Sequence, residues 1–224
     1  SWLVGSVTSF AELVCRTSFS FHEGASQPEE VIKRAAEMGL HAIAITDRDG
    51  VYGIPRAHKA AQEHGIRIIP GALLTIENGP GVALLAQDIG GWSQLSRLIT
   101  EARKNMRKGW GQIPLQSLLE RANGLEAILV GPWTLEPAIQ VREAFGHHAS
   151  IALTRNLDSH DVQLWDQLSV LSARSQIPLV ATGNVLMHSP SRAPLQDVLT
   201  CIRRKCIIDQ AGTQLQPNSS RTLR

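Results

Sequence analysis

Short apolar runs alternate along the chain with longer segments in which apolar residues recur every three or four positions. The runs Phe10–Val14, Ala42–Thr46, Ile66–Pro70, Val82–Leu85, Ala127–Val130, Ile151–Leu153 and Leu179–Thr182 read as strands. Several, such as Ala42-Ile43-Ala44-Ile45 and Ala127-Ile128-Leu129-Val130, are apolar throughout, the pattern of parallel strands covered on both faces by helices. Ser26 followed by Glu29, with Pro28 in the first turn, reads as a capping box opening a helix that Gly39 stops. Val51–His64 carries Ile54, Ala57 and Ala61 on one stripe and ends at Gly65; Trp92, Leu95, Leu98 and Ala102 share one face of a third helix. Leu115–Ala122, Glu136–Phe145, Asp158–Arg174 and Pro194–Arg204 follow, the last with an apolar stripe of Leu195, Val198, Leu199 and Ile202. Alternating strands and helices imply right-handed crossovers and a parallel sheet. Seven such strands either close into a barrel or lie open as a doubly wound sheet, and spacing alone does not choose.

Composition narrows the class. The 224 residues suffice for one domain that needs neither disulfides nor metal to fold. With 43% hydrophobic and 19% charged residues, and a mean hydropathy of −0.06, the chain is globular rather than disordered, collagenous or coiled-coil. No apolar run is long enough for a membrane-spanning helix, and Ser1–Phe10 lacks the features of a signal peptide. A net charge of +2 gives no global attraction to DNA or membranes. Cys15, Cys201 and Cys206 form no CxxC pair, and three sparse cysteines without a secretory signal read as reduced thiols of a cytoplasmic protein. The expected organisation is an extension over 1–9, one domain over 10–212, and a polar tail or the start of a following region over 213–224.

In a barrel or an open sheet alike, function collects on the loops that follow the strands. Those loops carry Cys15, Arg16, His22 and Glu23; then Asp47, Arg48 and Asp49; then Leu73; then Gln87 and Asp88; then Pro132; then Asn156 and Asp158; and finally Asn184, Leu186 and His188. Read from the residues, His22 and Glu23 are either a residual ligand pair or solvated loop residues. Asp47 and Asp49 are metal carboxylates or, flanking Arg48, a local ion pair plus a helix cap. His188 is a pocket-rim group or a turn residue, and Cys15 a nucleophile beside Arg16 or a buried thiol. Arg103-Lys104 with Arg107-Lys108, and Arg203-Arg204-Lys205, are DNA-backbone contacts or solvated helix ends. Gly90-Gly91 and Gly109-x-Gly111 lack the context of a phosphate loop and read as turns.

Several stretches carry a resemblance: Phe19-Ser20-Phe21-His22-Glu23-Gly24-Ala25-Ser26, then Pro28-Glu29-Glu30-Val31, Ala42-Ile43-Ala44-Ile45-Thr46-Asp47-Arg48-Asp49-Gly50 and Gly65-Ile66-Arg67-Ile68-Ile69-Pro70-Gly71-Ala72. In this order they resemble a PHP domain (polymerase and histidinol phosphatase), and more narrowly the amino-terminal PHP domain of bacterial C-family DNA polymerase alpha subunits. The run Ser189 to Arg203 resembles the end of that domain, nearest the error-prone subgroup. The resemblance implies an α/β fold, a distorted seven-stranded β/α barrel, and phosphoester hydrolysis at up to three metal ions held by His, Asp and Glu. This chain departs from the pattern. The His-x-His of the first motif falls on Val14 and Arg16, and the next ligand on Glu23. The histidine of Thr-Asp-His falls on Arg48, and the following glutamate on Leu73. Later ligands fall on Pro132, Asn156, Asn184 and Leu186.

Valine, leucine and proline side chains offer no lone pair, and a guanidinium repels a dication. The expectation is therefore no metal and no cofactor. The chain reads as a catalytically degenerate PHP domain of, or derived from, an error-prone DNA polymerase III alpha subunit, a scaffold in DNA replication or translesion synthesis. Its expected partners are the rest of a polymerase chain or replication and repair proteins, with at most weak DNA contact and no membrane. Arg16 and Arg48 then pair with Glu23, Asp47 or Asp49, or together bind a phosphate. The alternative is a metal-dependent phosphoesterase or 3′–5′ exonuclease whose remodelled site of Glu23, Asp47, Asp49, Asp88 and His188 holds Zn or Mn.

Overall fold

The computed structural model describes residues 10–104 and 111–223. The expected extension over 1–9, and the readings on Arg107-Lys108 and Gly109, lie outside the described residues. Seven strands, β1 (Ala11–Glu12), β2 (Ala42–Ile45), β3 (Arg67–Thr75), β4 (Gly81–Ala86), β5 (Leu125–Val130), β6 (Ala149–Leu153) and β7 (Leu179–Ala181), lie side by side in chain order. Past the two edge strands the chain closes on itself. Cys15 forms a parallel bridge with Val185, the Val185 N–H donating to the Val14 carbonyl at 2.8 Å and the Arg16 N–H to the Val185 carbonyl at 3.0 Å. The fold is the distorted seven-stranded β/α barrel rather than an open sheet.

Alternation along the strands explains the two layers of core. Val14, Ala44, Leu73, Ala83, Leu85, Ile128 and Ala152 form one cluster inside the barrel. Residues on the opposite faces pack under the helices α1 (Pro28–Glu37), α2 (Ile54–His64), α3 (Ile89–Arg103), α4 (Leu115–Leu119), α5 (Leu135–Phe145), α6 (Asp161–Ser175) and α7 (Ala193–Arg204). Apolar runs such as β2 are buried at every position because they serve both layers.

Five expectations need correction. The sheet is not all parallel: β4 runs antiparallel to both β3 and β5. Only Ile76–Pro80 separates β3 from β4, too short for a crossover, and the turn is closed by the Ile76 N–H on the Pro80 carbonyl at 3.1 Å. Next, β3 does not stop at Pro70. It is parallel to β2 up to Pro70 and antiparallel to β4 from Gly71, so the residue without an N–H sits where the strand changes partner. By contrast β1 is only two residues long, because the Glu12 carboxylate accepts the Val14 N–H at 2.9 Å and takes that donor from the ladder. α1 begins one residue later than the Ser26–Glu29 spacing suggests: Gln27 is the N-cap, and its N–H donates to Glu30 at 2.8 Å.

The fifth concerns α7. Leu195, Val198 and Ile202 face solvent, 41%, 45% and 53% exposed, while Gln196, Thr200 and Cys201 are buried. Gln196, Thr200 and Arg203 are spaced i, i+4, i+7, so the face turned inward is polar and carries Arg203 with it. Downstream, Thr222 bridges Met187, and Leu223 is buried against Val31 and Val185.

Candidate functional site

The loop after β1 builds the centre of the barrel mouth. Hydrogen bonds from the Glu23 and Gly24 N–H groups to the Ser20 carbonyl fold it tightly, at 2.9 and 3.1 Å. A side chain at Gly24 would collide with the Thr17 carbonyl, so glycine is required at that turn. The fold delivers Glu23 inward, 7% exposed. Its Oε2 accepts Arg16 Nη1 at 2.8 Å, and its Oε1 accepts Arg48 Nε at 2.7 Å and Arg203 Nη1 at 2.8 Å. Arg16 Nη2 reaches Asn184 Oδ1 at 2.5 Å, and Arg48 Nη1 reaches Thr75 Oγ1 at 3.0 Å. The Asn184 carbonyl in turn accepts two bonds from Arg221, at 2.9 and 2.7 Å.

Charge decides how this cluster titrates. Burial pushes the Glu23 carboxyl up, but Arg16, Arg48 and Arg203 outweigh it and hold its pKa at about 2. Burial lowers the pKa of Arg16, opposed by Glu23 and reinforced by Arg48. Arg221 is lowered further, again by burial first and by Arg16 next.

Two other buried carboxylates rely on uncharged donors. Asp47 accepts the Thr17 N–H at 2.6 Å, the Thr17 hydroxyl at 2.8 Å and the Ser20 hydroxyl at 2.7 Å. Glu12 accepts the Val14 and Gly183 N–H groups and the Thr182 hydroxyl, tying β1 to the loop after β7. In both, burial raises the pKa more than these bonds lower it. Asp49, in left-handed backbone (φ 51), is raised to about 6 by burial despite Arg48 and Arg103. Its Oδ1 is buried with no hydrogen-bond partner among the described residues.

The remaining candidates scatter. Val14 and Leu73 are packing residues of the barrel interior; Leu73 lies within β3, not on a loop beyond it. Leu186 packs with Ala25 and Met187. Asn156 has its N–H bound by the Asp161 carboxylate, and Pro132 is exposed. Asp88 is the N-cap of α3, accepting the Gly91 N–H at 2.7 Å. Because β4 is reversed, Gln87 and Asp88 follow its carboxyl end at the opposite side of the barrel from the Arg16–Glu23 cluster. His188 contacts Ser26, Nδ1 to Oγ at 2.8 Å, and burial lowers its pKa. His22 is exposed. Cys15 is buried, its thiol pushed far up by burial. Neither Asp47 nor Asp49 caps α2, which starts without a side-chain cap.

Three site residues escaped the sequence reading. Arg203 reads as one of three basic residues at a helix end, yet only it turns inward. Arg221 lies in a polar stretch with no pattern. Glu12 sits inside an apparent apolar run; a carboxylate at an inward strand position was the available signal.

Among the described residues no three His, Cys, Asp or Glu side chains group as a metal ion would require. No helix among them is long and apolar enough to cross a membrane. The model of the PHP domain matches residues 12–171. The chain belongs to the PHP domain family. It is 39% identical over 236 residues to the error-prone DNA polymerase of Anaeromyxobacter dehalogenans, a match taking in 96% of this chain and 20% of the relative. To that of Pseudomonas aeruginosa it is 38% identical over 225 residues, 100% of this chain and 22% of the relative. The PHP chain thus spans about a fifth of the length of the curated relatives it matches. An amidohydrolase structure from Chromobacterium violaceum, with bound sulfate and no metal, has a TM-score of 0.57 at 14% identity, covering 80% of this chain and 88% of that one.

Proposed function

We propose that this PHP domain hydrolyses nothing and is a structural part of an error-prone DNA polymerase alpha subunit acting in DNA replication or translesion synthesis. The observation that carries the reading is Glu23 held by three guanidiniums. A positive unit charge about 4 Å from a guanidinium is repelled by about 4 kcal/mol at an effective dielectric of about 20, and a dication by twice that. The residues present do not fit the family's metal cluster. Arg16 and Arg48 supply fixed positive charge, Val14 and Leu73 supply hydrocarbon, and Asp47 already accepts three hydrogen bonds from Thr17 and Ser20.

A scaffold also needs a face to pack, and α7 leaves Leu195, Val198 and Ile202 uncovered. We assign that face to the remainder of a polymerase chain, given that the relatives are about five times as long. Free thiols accord with a cytoplasmic location. Metal analysis of protein purified without chelators, combined with phosphodiesterase and 3′–5′ exonuclease assays with added Zn or Mn, tests the reading. The expected result is sub-stoichiometric metal and no hydrolysis above the blank. Stoichiometric Zn or Mn, with hydrolysis abolished by Glu23→Ala, overturns it.

A further inference from the structure

Of the chain's three cysteines, Cys15 is sealed in the core with Val31 and Ile43, whereas Cys201 and Cys206 come together at the end of α7. That helix stops in a Schellman turn. The Cys206 N–H donates to the Cys201 carbonyl at 3.1 Å, the Lys205 N–H donates to the Ile202 carbonyl at 3.3 Å, and Lys205 takes left-handed backbone (φ 56). In such a turn the side chain in the helix's last turn and the one just past the left-handed residue meet, ordinarily as an apolar contact. Here two thiols fill that place, within hydrogen-bonding contact of one another. Their surroundings differ. Cys206 is half-buried and follows Arg203, Arg204 and Lys205 in the chain, while Cys201 is buried. Burial, and next the contact with Cys206, hold the Cys201 thiol above its ordinary range. A reagent arriving from solvent therefore meets Cys206 first, with Cys201 as the resolving thiol behind it.

We propose that Cys201 and Cys206 form a reversible disulfide when a hydroperoxide oxidises Cys206, and that this bond clasps the last turn of α7. The Cys206 sulfur attacks the outer peroxide oxygen. The O–O bond breaks, the thiol proton leaves with the alcohol or water released, and Cys206 becomes a sulfenic acid. The Cys201 sulfur then attacks the Cys206 sulfur. The S–O bond breaks, the S–S bond forms, and the sulfenic hydroxyl departs as water with the Cys201 proton. The dithiol has lost two electrons and the hydroperoxide has gained them. Contact between the thiols makes the second step intramolecular, and dithiol reductants of a cytoplasm reopen the bond. The clasp bears on the barrel mouth because Arg203 lies between the two cysteines in the chain and its Nη1 holds Glu23 at 2.8 Å. Left-handed backbone costs a lysine more than a glycine. In the thiol form the turn therefore frays; the disulfide closes it and keeps Arg203 seated.

To test this, the whole chain is treated with a slight excess of hydrogen peroxide, and the remaining thiols are alkylated after denaturation. Tryptic peptides are then weighed with and without dithiothreitol. Cleavage after Arg192, Arg203, Lys205 and Arg221 puts the two cysteines on separate peptides, 193–203 and 206–221. The expected product joins these peptides, two hydrogens lighter than their sum, with Cys15 still alkylated, and dithiothreitol separates them. Cys206→Ser is expected to leave Cys201 alkylated. Cys201→Ser is expected to accumulate a Cys206 sulfenic acid that dimedone captures, and melting curves establish that both variants are folded. Amide hydrogen exchange over 203–206 is expected to slow about tenfold or more in the oxidised chain, and to stay unchanged in peroxide-treated Cys206→Ser. Recovery of both cysteines alkylated, overoxidation of Cys206 beside a free Cys201, or bridges between chains in place of the 201–206 bond overturns the proposal, and does so on the unsubstituted chain whatever the variants do. A 201–206 disulfide with unchanged exchange overturns the clasp.

Discussion

Glu23 and Asp47 are buried carboxylates at one barrel mouth, yet they titrate in opposite directions. Asp47 sits among a backbone N–H and two hydroxyls, and its pKa rises. Glu23 sits among three guanidiniums, and its pKa falls to about 2. Burial acts alike on both, so the charge of the donors decides the outcome. Neutral donors make a carboxylate tolerable in a core; cationic donors make it indispensable, because the cations need it as much as it needs them.

The comparison is broken most severely by Glu23→Ala. Arg16 is then buried without a counter-charge, and the domain is expected to lose about 3–5 kcal/mol in urea unfolding. Acid reaches the same interaction reversibly. The folded pKa of Glu23, about 2, lies below the ordinary 4.5, so its contribution is complete above pH 4.5 and disappears as pH falls toward 2. About 3 kcal/mol is at stake. Unfolding measured between these pH values is expected to show this limb in the native chain and not in Glu23→Gln.

Asp49 reverses the sign. Its pKa of about 6, against an ordinary 3.8, means that stability declines as pH rises through that window. Asp49→Asn, an exchange its left-handed backbone accepts, is expected to gain about 2 kcal/mol at neutral pH and nothing at pH 3 or below. Melting curves at the two pH values check it. Asp47→Asn is expected to cost only about 1 kcal/mol, since an amide oxygen still accepts the Thr17 N–H and the hydroxyls can turn. A cost equal to that of Glu23→Gln abolishes the distinction drawn here. Val198→Ser, on the open face of α7, is expected to shift the melting of the isolated domain within about 0.5 kcal/mol.

Much of the barrel is legible along the chain because its strands and helices differ in period. The β2 and β5 runs, the Gly65 stop of α2 and the stripe of α3 all follow from residue spacing. Strand direction does not, since an apolar run reads the same both ways, and with the third strand read as ending at Pro70 the short Ile76–Pro80 connection that reverses β4 was hidden. The stripe on α7 was legible but its orientation was not, because Arg203 reaches Glu23 from the opposite, polar face. The centre of the site was readable in part. Arg16, Glu23 and Arg48 lie on loops that the family resemblance places together, and Glu23 was among the partners expected for the two arginines. Arg203 and Arg221 join them through contacts that no local pattern announces.

Closure of the barrel through Cys15 and Val185 also has a bearing on biosynthesis. The Arg16–Asn184, Glu12–Thr182 and Glu23–Arg203 contacts join residues 168, 170 and 180 positions apart. A nascent chain leaving the ribosome therefore carries Arg16 without its hydrogen bond to Asn184 until almost all of the barrel has been translated. Such distant loop closures are entropically slow. Glu23 therefore gains the third of its guanidiniums only when α7, the last α-helix among the described residues, has docked.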